Sequence, residues 1–163
     1  MAKSFFAQFA MILIALVFLS RTGLATEKTA DPCSLLTLAE IQAAIGNPVK
    51  AGTPKIHSNP LAGANCTYVV GDFGSFDVLV KPLQSGETPA AIKAQFAKMK
   101  MKPVDLPNVG DSSFFTSPGY GMTQLQTFKG SKYILFTLLV PGAKESDQQV
   151  AAAKLMRKLL TRI

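Results

Sequence analysis

The sequence predicts one α+β domain: an antiparallel sheet of about five strands, made of a hairpin and a three-stranded meander, with three helices and one structural disulfide. Three observations predict it. Short runs of alternating apolar residues are separated by glycine turns, as antiparallel strands require. Helix starts carry capping signals. Two cysteines, Cys33 and Cys66, are the only ones in 163 residues. The length suits one compact domain. A chain that is 48% hydrophobic and 17% charged is neither disordered nor fibrous.

Residues 1–25 read as a cleaved secretory signal. Lys3 supplies the positive start, and Phe9 to Leu19 is an unbroken apolar run. That run is shorter than the roughly 20 residues a membrane-spanning helix needs. Gly23-Leu24-Ala25 places small side chains at the cleavage positions. Arg21 lies between the apolar run and the cut, which leaves an uncleaved anchor as the alternative. Residues 26–163 then form the exported domain, periplasmic or secreted. Removing Lys3 and Arg21 leaves fifteen basic residues against ten acidic ones. That balance favours anionic neighbours but does not name a function. Export argues against nucleic acid as a partner. In an oxidising compartment the even cysteine pair reads as a disulfide. Closing such a loop stabilises the fold by roughly 3.5–4 kcal/mol.

The first helix is predicted over Leu38 to Ile45. Thr37 and Glu40 form a capping box, Leu36 and Ile41 a hydrophobic staple, and Gly46 with Asn47-Pro48 stops it. Val49 to Asn65 reads as a loop that holds the only histidine, His57. Cys66 to Val70 and Ser75 to Lys81 are two strands around Gly71-Asp72-Phe73-Gly74. Thr88-Pro89 opens a second helix, with Ile92, Phe96 and Met99 on one face and Pro103 ending it. Ser113 to Ser117, Met122 to Phe128 and Lys132 to Val140 form the meander. The last of these is apolar on both faces and so belongs at the centre of a sheet covered on two sides. A second capping box at Ser146 to Gln149 opens a third helix, Asp147 to Thr161, with Met156, Leu159, Leu160 and Ile163 inward.

Chemistry-bearing patterns are sparse. No nucleophile elbow or Ser-x-x-Lys pair is present, and no His-Glu-x-x-His or calcium-loop pattern. The expectation is therefore no catalytic residues, no metal and no cofactor. Two candidate surfaces stand out. Phe114, Phe115, Tyr120, Phe128, Tyr133 and Phe136 all fall in the meander and either fill a core or line an apolar pocket. Lys154, Arg157, Lys158 and Arg162 decorate the third helix and either contact an anionic surface or form a solvated face.

Three pieces together resemble a known pattern. They are Asp31-Pro32-Cys33-Ser34-Leu35-Leu36 with the helix to Gly46, Cys66-Thr67-Tyr68, and Asn108-Val109-Gly110-Asp111 running into a strand. The chain resembles a family of secreted actinobacterial proteins, many of them lipoproteins, whose shared domain has no assigned function. The resemblance implies a disulfide-tied α+β domain in the cell envelope and supplies no catalytic residues. The lipid-anchor cysteine of such lipoproteins is missing here. The functional expectation is a non-catalytic binding domain whose ligand is a small apolar molecule, an envelope component such as a lipid, or a protein. The alternatives are an accessory subunit of an envelope assembly and, less favoured, an enzyme of unrecognised type.

Overall fold

The computed structural model describes residues 31–163. The segment read as a secretory signal, residues 1–25, lies outside the described residues. Seven antiparallel strands form one sheet in the order β1-β2-β3-β7-β6-β5-β4. They are β1 (Thr53–Ile56), β2 (Ala64–Val70), β3 (Gly74–Pro82), β4 (Val104–Asp105), β5 (Ser112–Gly119), β6 (Met122–Lys129) and β7 (Lys132–Leu139). The helices are α1 (Leu38–Ile45), α2 (Pro89–Lys98) and α3 (Glu145–Leu160), with 3-10 turns at Pro32–Ser34 and Pro60–Ala62.

The α+β class and the five anticipated strands are present, but the sheet has seven. The hairpin and the meander fuse because β7 pairs with β3 from Ser75↔Leu139 to Pro82↔Lys132. The doubly apolar β7 thereby takes the central place. The two additional strands are edges. β1 lies in the segment read as a loop, where Pro54 interrupts any alternation. β4 has two residues, both exposed. Short edges carrying Pro54 and Lys55 discourage pairing with another chain.

The first face of the sheet carries the main core. Tyr68, Phe76, Val78, Leu125, Phe136 and Leu138 are buried there beneath Ile41 of α1 and Leu155, Met156 and Leu159 of α3. The Phe76 and Phe136 rings meet edge to face at 4.9 Å. α1 forms as read, with the reciprocal Thr37–Glu40 cap and Gly46 left-handed at φ 81. α3 differs from expectation. It begins at Glu145, its N-cap is Lys144 with no side-chain cap bond, and the Ser146–Gln149 box does not form. Gln148 is instead buried: its amide nitrogen donates to the Gly121 carbonyl (3.0 Å) and its oxygen accepts from Val140 N–H (3.3 Å). A buried glutamine needs both partners, and Gln149, the far member of the expected box, donates to Glu145 at 3.1 Å.

Cys33 and Cys66 form the expected disulfide, closing a separation of 33 residues. Cys66 is fully buried in β2. The bond therefore ties the segment before α1 to the middle of the first face.

Candidate functional site

The six meander aromatics do not share one pocket. Phe115 and Phe136 belong to the first-face core. Phe114, Phe128 and Tyr133 form a separate buried cluster on the second face. Tyr120 is 94% exposed at the β5–β6 turn. The division follows from the pleat, since Phe114 and Phe115 are neighbours and must point to opposite faces. On the second face the rings of Phe114 and Phe128 stack at 6.2 Å, and Phe128 meets Tyr133 at 5.3 Å.

The basic residues of α3 also divide. Arg162 donates to both oxygens of Glu40 (2.9 and 2.7 Å) and to the Leu35 carbonyl (2.6 Å). Lys158 reaches the same carboxylate at 3.0 Å. Arg162, the Thr37 amide and Lys158 together hold the Glu40 carboxyl well below the usual carboxylate range. Two of the four candidate surface cations thus clamp the end of α3 to the start of α1. Lys154 and Arg157 have no such partner among the described residues.

Beside α2 the second face opens into a groove of about 560 Å³ lined by Lys81, Ser85, Gly86, Glu87, Ala91, Ile92, Gln95, Phe96 and Tyr133. Thr88 caps α2 by accepting from Ala91 N–H at 3.1 Å, with Pro89 in its first turn. The helix is lightly seated: none of its residues is buried, Ile92 and Phe96 pack on the aromatic cluster, and Lys93 lies 5.3 Å from the Phe114 ring centre. At the groove floor Lys81 donates to both oxygens of Glu87 at 2.6 Å and lies 5.3 Å from the Tyr133 ring centre. The bond from Lys81, with the Gln84 amide, lowers the Glu87 pKa. Burial, and then the Glu87 charge, pushes the Tyr133 phenol far above its ordinary value, so it remains a donor. The chemistry of the groove is an internally neutralised ion pair beside aromatic and aliphatic walls.

A polar row that sequence reasoning missed crosses the same face. Thr53, Thr67, Asp77, Thr137, Gln124 and Thr116 stand in register over six strands. Thr67 donates to Asp77, and Gln124 donates to Thr137 at 3.3 Å. Thr116 donates to the Gln124 oxygen at 3.4 Å. Gln126 donates to Thr116 at 3.2 Å and accepts from the Tyr133 hydroxyl. The row is thus wired to the groove through Tyr133. Its signal was the pair Gln124 and Gln126, two amides on one face of a strand that reads as internal.

The motifs behind the family resemblance are architectural. Asp31 caps the turn containing Cys33 by accepting from its N–H at 2.9 Å. Tyr68 donates to the Cys33 carbonyl at 3.2 Å. Gly110 has φ 59, and a Cβ there would come within 2.5 Å of the Phe128 carbonyl oxygen. Asp111 accepts from Gly130 N–H at 2.7 Å and from Lys129 at 3.2 Å, pinning the β6–β7 turn. His57 follows β1, half-buried. Asp72 lies in a turn while Asp77 is committed to Thr67, so they form no carboxylate pair. Among the described residues no cluster of His, Cys, Asp or Glu is arranged to hold a metal, and no helix is long and apolar enough to cross a membrane. Comparison with protein-family models, curated proteins and solved structures found no match.

Proposed function

We propose that the chain is an exported, non-catalytic binding domain of the cell envelope that takes a small, largely apolar ligand in the groove between α2 and the second face. One observation carries this reading: α2 leaves an open groove of about 560 Å³ over the Tyr133 ring while burying none of its own residues. Ligand sites are concave and mostly apolar with a few fixed polar groups. Here the apolar walls are Ile92, Phe96 and Tyr133, and the polar groups are Ser85, Gln95 and the paired charges of Lys81 and Glu87. Because each of those charges neutralises the other, the groove favours an uncharged or weakly polar guest over a strong anion.

The test is a titration with the neutral fluorophore N-phenyl-1-naphthylamine. Wild type is expected to bind saturably with enhanced emission. Ala91 is exposed on the groove wall, so Ala91→Trp fills the groove without touching the core. It should weaken binding at least about tenfold, as loss of a buried apolar contact does, and leave the melting temperature unchanged. Absence of saturable binding by wild type, or equal binding by Ala91→Trp, overturns the assignment.

A further inference from the structure

The turns joining β2 to β3 and β5 to β6 lie at one end of the sheet, on either side of the end of β7. Each presents an aromatic residue to solvent: Phe73 is 87% exposed and Tyr120 94%. Three strand spacings separate the turns, about 14 Å. Tyr120 is held at φ 55 between Gly119 (φ 97) and Gly121 (φ 75). Bulky side chains rarely adopt that left-handed backbone. The β5–β6 register also shifts between Thr116 and Gly119, just before this turn, and such bulges re-aim side chains. The fold therefore projects Tyr120 outward against local preference.

Behind the tips the second face carries one mainly apolar register line before the polar row begins. Val69, Leu139 and Met122 lie on the register line nearest this end, with Ser75 between the first two. Beside Phe73 is a groove of about 500 Å³ whose lining includes Lys50 and Asp72. Neither side chain forms an ion pair among the described residues. Among the described residues the start of α3 adds the charges of Lys144, Glu145 and Asp147 near this end. Glu145 accepts from Ser117 and Gln149.

We propose that this end of the sheet docks on a phospholipid bilayer, with Phe73 and Tyr120 inserted at the interface and a zwitterionic headgroup held between Lys50 and Asp72. Two protruding aromatics suit a deformable surface, whereas a protein partner would need two matching pockets. Tyrosine suits the water–hydrocarbon boundary because its ring is apolar and its tip polar. A cation and an anion that line one groove, and form no ion pair among the described residues, complement the phosphate and ammonium of a single zwitterionic headgroup. The bilayer is thus engaged by aromatic insertion, apart from the basic residues of α3.

The chain contains no tryptophan, so Phe73→Trp and Tyr120→Trp are clean reporters. The full-length reading frame is expressed and the exported protein recovered, its N-terminus verified by mass. Phosphatidylcholine vesicles should sediment it and shift the emission of both reporters to the blue. Soluble phosphocholine alone should shift neither. Phe73→Ser with Tyr120→Ser, both outside the core, should reduce the bound fraction at least about tenfold, since two apolar side chains no longer leave water. Lys154→Glu with Arg157→Glu should leave binding unchanged. No sedimentation of wild type, or unaltered sedimentation of the double serine variant, overturns the proposal. So does binding confined to anionic vesicles and abolished by the charge reversals. None of these outcomes bears on fluorophore binding beside α2, so this docking surface and the ligand groove stand or fall separately.

Discussion

Glu40 shows how one residue can hold two distant parts of a chain together. Its carboxylate completes the cap of α1 by accepting from Thr37 N–H at 2.9 Å and receives Arg162 and Lys158 from the end of α3. Its folded pKa is depressed, chiefly by Arg162. The stabilisation is therefore present in full above the unfolded-state value, roughly 4.3. It is lost as the pH falls below that value toward the folded one. Urea denaturation from pH 7 to pH 2 should show this loss in wild type. Glu40→Gln should be less stable at pH 7, and the gap should narrow as the pH falls. A gap that stays constant through acid would show that the clamp contributes through packing alone. The capping role was legible from Thr37-Leu38-Ala39-Glu40. The ion pairs were not, because the partners lie more than a hundred residues away and helical spacing groups Lys158 and Arg162 as a surface stripe.

The helices divide sharply by element. α3 buries Leu155, Met156 and Leu159 against the first face, whereas α2 rests on Ile92 and Phe96 with no residue buried. Truncating Met156 to Ala should cost about 2–5 kcal/mol. Phe96→Ala should cost less, because its ring is already part-exposed and the site can collapse. Denaturant curves for the two variants check this order, and equal losses would mean that α2 is as firmly packed as α3. At this scale the sequence was most readable where periodicity was strong. β2 and β3 alternate cleanly, β7 is a run apolar on both faces, and turns such as Gly71–Gly74 bracket the strands. β1 and β4 were invisible because edge strands bury little and so impose no pattern. The second capping box did not form: its Gln149 donates to Glu145 instead, and Gln148 turns inward to Gly121 and Val140.

Across the whole molecule, one sheet separates two environments. The first face is closed by α1, α3 and the disulfide. The second is covered at one end by α2 and bears the polar row from Thr53 to Thr116. The disulfide's contribution of roughly 3.5–4 kcal/mol falls on the closed side. The open side holds the groove, whose Tyr133, Ile92 and Phe96 also build the smaller aromatic cluster. This division explains why the site was poorly legible. The motifs that stand out in the sequence are those the frame demands, while Lys81, Glu87, Ile92 and Phe96 come together only when β3 and α2 are placed. Tyr133 alone among the groove residues was anticipated, for its aromatic ring.

The most direct measurement is an amide NMR map of the protein with and without N-phenyl-1-naphthylamine. Binding in the groove predicts shift changes confined to residues 81–96 and the Phe128–Tyr133 turn, with α1 and α3 unmoved. Changes centred on the first face, or no changes at saturating fluorophore, would contradict the second-face binding site.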